Sequence, residues 1–145
     1  MPVQRMDHVG IVVEDLAAAK DFFVALGLEV DGETSVEGEW ADRVVGLEGI
    51  RADIVMLRTP DGHGRLELSR FHAPAAAAGD GAAPPNTLGI RHLSFVVEDI
   101  DGVVAAAGAR GGGLVGELET YRDIYRLCYV RGPEGIIVEL AERVG

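Results

Sequence analysis

The stretch MDHVGIVVEDL near the start of the chain returns, loosely rewritten, as IRHLSFVVEDI in the second half. His8 is followed by Val12, Val13, Glu14, Asp15 and Leu16. His92 is followed at the same offsets by Val96, Val97, Glu98, Asp99 and Ile100. A second correspondence lies at the far end of each half, where PDGHGRLEL is matched by PEGIIVEL. Starts and ends that match independently point to an internal duplication, so the fold must be one that a half-length unit can build twice.

Each half reads as β-α-β-β-β. In the first, DHVGIVVED alternates about an apolar core, as a strand does. Asp15 is placed to cap a helix, LAAAKDFFVALG, with Leu16, Ala19, Phe23 and Leu26 on one face and Gly27 as its stop. Strand-like LEVDGETSV follows, then a helical turn around WADRVVGL that Trp40 is expected to anchor. The strands IRADIVMLR and GRLELSRF are joined by TPDGHG, whose Pro-Asp-Gly chemistry suits a hairpin loop. The second half offers IRHLSFVVED, a short helix IDGVVAAAGARG, and strands LVGELE, YRDIYRLCYV and GIIVELAE. Gly102 and Gly108 each cost that helix about 1 kcal/mol relative to Ala, so it is expected chiefly because the first half has one. Between the halves, APAAAAGDGAAPPN (Ala73 to Asn86) is rich in Ala, Gly and Pro, and none of it is expected in a core. The expectation is one α+β domain over residues 1–145, with module one at 1–72, a mobile linker at 73–88 and module two at 89–145.

The 145 residues are 48% hydrophobic and 26% charged, within the range of a packed globule. No apolar run approaches the roughly 18–20 residues that would span a bilayer. A net charge of −11 argues against nucleic acid or an anionic membrane as partner, because both require excess Lys and Arg. The lone Cys128 excludes an intrachain disulfide framework, and MPVQRMDHVG enters the strand pattern with no apolar leader. A cytoplasmic location is the expectation.

Each half supplies a histidine on its first strand and a glutamate on its last: His8 and Glu67, then His92 and Glu139. Both glutamates are flanked by apolar residues, LEL and VEL, so their side chains face away from the packed side of the sheet. If the other side is concave, two histidines and two carboxylates converge, and a metal ion is the natural counter-charge. A strand histidine is also commonly a packed or surface residue, and a VEL glutamate a solvent-facing one. The residues alone leave both readings open. His63 in the turn and His72 at the linker read as exposed, and Cys128 as packed. Arg122 and Arg126 alternate onto one strand face, either as an anion clamp or, preferably, as ordinary exposed arginines.

DHVGIVVEDLAAAKDFF…LGLEV, PDGHGRLEL, IRHLSFVVEDI and YVRGPEGIIVEL together resemble the vicinal oxygen chelate superfamily, the glyoxalase, bleomycin-resistance and extradiol-dioxygenase group. The resemblance spans nearly the whole chain. It implies two tandem βαβββ modules forming a U-shaped, partly open barrel-like cleft, with a divalent metal at its base. The family's ligand positions fall on His8, Glu67, His92 and Glu139. Homodimers with two such clefts are common in the family, and a homodimer is expected here.

The ligand pattern discriminates among the members. Ring-cleaving dioxygenases use two histidines and one carboxylate, fosfomycin-resistance members carry a histidine where this chain has Glu67, and bleomycin-binding members lack the set. Methylmalonyl-CoA epimerases usually carry Gln at the Glu67 position. His-Glu-His-Glu is the pattern of glyoxalase I, lactoylglutathione lyase. The resemblance therefore implies a metal-dependent lyase or isomerase using Ni, Co, Zn, Mn or Fe. It would abstract a proton next to a carbonyl of a small hemithioacetal or α-hydroxycarbonyl substrate, with a thiol adduct or acyl-CoA as the small-molecule partner. Glu139 is implied as the base, and Glu67 as ligand or partner base. The alternatives are an acyl-CoA epimerase with the same proton chemistry, and a non-catalytic antibiotic-binding protein.

Overall fold

A computed structural model describes residues 2–145. The chain divides into two compact units, one ending at Ala78 and the other running Gly79–Gly145. Among the described residues, the first unit holds β1 (Val9–Val12), α1 (Leu16–Leu26), β2 (Glu29–Glu37), α2 (Glu39–Val45), β3 (Arg51–Arg58) and β4 (Arg65–Ala73). The second holds β5 (His92–Val97), α3 (Ile100–Ala109), β6 (Gly113–Leu114), β7 (Glu119–Tyr121), β8 (Tyr125–Arg131) and β9 (Ile137–Arg143), with a short 3-10 turn at Pro133–Gly135. The class is α+β, and neither sheet closes on itself.

The first unit's sheet has the order β1-β4-β3-β2, with β1 parallel to β4 and the other pairs antiparallel. Helix α1 forms because Asp15 accepts from the Ala18 amide at 3.0 Å, and because Gly27 takes the left-handed conformation (φ 117°) that ends it. Its buried face is Ala19, Phe22, Phe23 and Leu26, with the two phenyl rings edge to face at 5.2 Å. These pack over Val55, Leu57, Leu66 and Leu68 of β3 and β4, all nearly inaccessible. Each large side chain so buried contributes about 1.5–3 kcal/mol. Strand β2, almost wholly exposed, lies at an edge and carries Glu29, Asp31 and Glu33. Such charges blunt an open edge against pairing with another chain.

The second unit repeats the plan with the order β5-β9-β8-β6 and β7 also on β8, again with its first and last strands parallel. Asp99 caps α3 by accepting from the Gly102 amide at 3.1 Å, in the role Asp15 has for α1. A side chain at Gly102 would collide with the Asp99 carboxylate, so this glycine makes the cap possible as well as weakening the helix. The Asp101 carboxylate accepts from Arg126 at 2.8 and 3.1 Å, and Glu142 accepts from the Ile100 amide at 2.9 Å. Both contacts tie the first turn of α3 to its sheet.

Three expectations need correction. Ala73 belongs to β4, and Ala83 is buried in the second unit at 4% exposure, so the segment between the halves does reach a core. Arg131 and Arg91 both donate to the Ala83 carbonyl, at 2.9 and 3.0 Å, and Arg131 also reaches the Gly81 carbonyl at 3.2 Å. Its Ala-Gly-Pro composition hid this because the arginines grip backbone oxygens, which every residue has. Trp40 does not anchor α2: it is 60% exposed, and Ala41 is the residue of that helix that packs. The expected strand LVGELE survives only as the short β6 and β7.

Candidate functional site

Strand register places the candidate residues. Glu67 lies between the buried Leu66 and Leu68, so it projects from the face of the first sheet opposite α1. Residue pairing of β1 with β4 puts Gly10 beside Glu67, and His8, two residues before Gly10, projects from that face as well. His8 itself immediately precedes β1. Its Nε2 lies 3.3 Å from Glu67 Oε2, and its Nδ1 lies 2.7 Å from Asp7 Oδ2. Ser69, nearly buried and two residues along β4, donates to Glu67 Oε1 at 3.3 Å.

The second unit builds the same pair. Ser94 stands beside Glu139, and His92, which opens β5, shares their face. His92 Nε2 is 3.7 Å from Glu139 Oε1. Tyr129 is the residue directly across from Glu139 on β8, and its ring lies against the His92 imidazole with centroids 4.8 Å apart and planes at 42°. All four candidate side chains are between 25% and 36% exposed, open enough for a small molecule to reach.

His8 is flanked by carboxylates on both ring nitrogens. A proton on Nδ1 satisfies Asp7, which lies 2.7 Å away. Nε2 then faces Glu67 either with a second proton or with a lone pair, and a lone pair against a carboxylate oxygen is repulsive unless a cation lies between them. Imidazole nitrogen and carboxylate oxygen together suit a divalent transition ion. The donor chemistry therefore fits a metal. Among the described residues, no three His, Cys, Asp or Glu side chains are gathered closely enough to hold one. Each unit by itself offers a pair. The Asp7 carboxyl is held below its ordinary range, first by the His8 hydrogen bond and further by Arg65 and Arg5.

The remaining candidates stand apart from the pairs. His63 is exposed in its turn, where its amide donates to Asp61. His72 pairs with Asp53 at 2.8 Å. Cys128 is buried, and burial pushes its thiol above the ordinary range. Arg122 and Arg126 do not share a strand face. Arg122 sits in a tight turn with φ 52°, its guanidinium over the Tyr121 ring, while Arg126 in β8 is taken by Asp101. The alternation in YRDIYRLCYV was broken by the left-handed Arg122 and Asp123, so β8 starts only at Tyr125. Sequence reasoning passed over Asp7, Ser69 and Tyr129. The signals were adjacency in DH, spacing of two in ELS, and alternation against the buried Cys128 in LCYV.

Solved structures share this architecture. A glyoxalase family protein from Bacillus cereus is 50% identical over all of this chain and 97% of its own, with a TM-score of 0.96. A glyoxalase family protein from Enterococcus faecalis is 25% identical over 98% of this chain and 100% of its own, with a TM-score of 0.66. The trypanothione-dependent glyoxalase I of Leishmania major shares the fold at 22% identity and a TM-score of 0.64, over 97% of this chain and 87% of its own. Among curated proteins, the uncharacterized YaeR of Escherichia coli K12 is 27% identical over 97% of this chain and 98% of its own. The family model described as Glyoxalase/Bleomycin resistance protein/Dioxygenase superfamily matches residues 5–140. Duplicated modules, paired His and Glu in each, and a match across nearly the whole length together place the chain in the glyoxalase/bleomycin resistance protein/dioxygenase superfamily.

Proposed function

We propose that this chain is a metal-dependent lyase or isomerase of the glyoxalase I type. It would act on a small hemithioacetal or related α-hydroxycarbonyl compound. The observation that carries the reading is the repetition of one His–Glu pair in both modules, each time on the face away from the helix. Superfamily members commonly bind a divalent metal, act on small molecules and often form dimers. Here His8, Glu67, His92 and Glu139 would hold one divalent ion, two ligands from each module. The set is completed either within one chain or between two copies in a homodimer.

When bound, the ion supplies Lewis-acid stabilisation of the oxyanion that develops as the C–H bond breaks, several kcal/mol without a proton transfer. The chain's own residues move the proton. Glu139 takes it from the hydroxyl-bearing carbon beside the carbonyl and returns it to the former carbonyl carbon, while the hydroxyl proton passes to the former carbonyl oxygen, a general acid–base role. Two contacts favour Glu139 over Glu67: Glu67 is held by Ser69 and lies closer to its histidine. Glu139 stands further from His92, with the Tyr129 side chain beside it on the open face. Tyr129 keeps the His92 ring in place and presents an aromatic surface to the substrate.

The test is turnover in deuterium oxide with Ni, Co or Zn added, over a panel of methylglyoxal–thiol adducts and acyl-CoA esters. Metal-dependent isomerisation of a thiol adduct is expected, with loss on chelation. Proton exchange confined to acyl-CoA esters would instead identify an epimerase, and tight binding without exchange would identify a sequestering protein.

A further inference from the structure

We propose that Asp7 is a positioning residue for His8. Its carboxylate accepts the hydrogen bond from Nδ1–H and leaves Nε2 turned toward Glu67, an arrangement the second module does not repeat. The inference rests on the proposed metal site and deepens it, because it makes the two histidines unequal ligands.

The Asp7–His8 contact is short, 2.7 Å, and the opposite nitrogen points at a carboxylate 3.3 Å away. Asp7 is itself steered by guanidinium groups, Arg65 at 3.7 Å and Arg5 at 3.9 Å. Arg65 is fixed in turn by Asp31 of β2 at 2.8 Å. A line of alternating charge thus runs from the edge strand β2 to the imidazole and on to Glu67. In the second module the residue before the histidine is Arg91. Its guanidinium turns to the carbonyls of Ala83 and Pro84, at 3.0 and 3.3 Å, and His92 rests against Tyr129 instead. One histidine of the repeat is therefore clamped by a charge-assisted hydrogen bond, the other by an aromatic ring. A carboxylate on the far nitrogen fixes the tautomer and ring orientation, so His8 presents its Nε2 toward Glu67 in one fixed geometry.

The experiment pairs nitrogen-15 NMR of the metal-free full chain with cobalt(II) binding measured by chelator competition. In the native protein the neutral form of His8 should be the Nδ1–H tautomer. Asp7→Ala should move it to the Nε2–H form and weaken cobalt binding by about 10–100-fold. Asp7→Asn, which keeps an acceptor oxygen but loses the charge, should retain the tautomer and lose less affinity. A lower melting temperature in Asp7→Ala with tautomer and cobalt affinity both unchanged would make Asp7 a mere anchor for Arg65 and overturn the proposal. If the native chain takes up no cobalt, the metal site itself fails, and the tautomer comparison still decides the role of Asp7.

Discussion

The Glu67 carboxylate accepts from Ser69 and lies 3.3 Å from its histidine, whereas Glu139 lies 3.7 Å from its own. If the less constrained carboxylate carries the proton, Glu139→Gln keeps an oxygen for the metal and loses only basicity. Turnover of a thiol adduct should fall about 10²–10⁴-fold, while metal content measured by atomic emission should fall far less. Near-native turnover with full metal would move the base to Glu67. At this scale the pairs were legible because strand alternation gives each glutamate its face, and because the repeat supplies each with a histidine. Tyr129 was not, since a partner across a sheet depends on register, which neither period nor composition encodes, whereas Asp7 and Ser69 stand beside their partners in sequence and only the side-chain geometry shows the contact. Arg122 shows the converse: its place in an alternating run was regular, yet its backbone is left-handed and no strand passes through it.

Among the elements, α1 was readable from both ends, by its Asp15 cap and Gly27 stop. The sequence of α3 is a poor helix former, and the element appears because Asp99 caps it and Arg126 and Glu142 hold its first turn. Local propensity was overruled by contacts from a distant strand. The segment between the modules was misjudged for a similar reason, since its hold on the second unit uses carbonyls. Gly135 tests that hold. It has φ 82°, and any side chain there would strike the backbone of Gly81. Gly135→Ala combines left-handed strain, roughly 1–3 kcal/mol, with displacement of Gly81, and should lower the denaturation midpoint measurably. Gly111→Ala, with a φ of 82° but open space, is the control and should cost only the strain.

For the whole molecule, the strongest expectation concerns assembly. Val12 and Val96, at matching places on the two open faces, are 55% and 78% exposed. Apolar positions repeated so regularly suit a protein that pairs its modules with those of a second copy, and light scattering at micromolar concentration should give twice the chain mass. A monomer there would remove the shared-site alternative and leave only the single-chain one. The parallel pairing of first and last strands also sets a timetable for synthesis. On the ribosome, Val9 emerges long before its partner Leu66, and His92 before Ile137. At about 5–20 residues per second, each histidine waits several seconds for the strand that carries its glutamate. A chain cut short before Glu67, or between His92 and Glu139, therefore carries a histidine without the glutamate of its own module. An ion shared by His8, Glu67, His92 and Glu139 would thus be captured only after Glu139 has emerged.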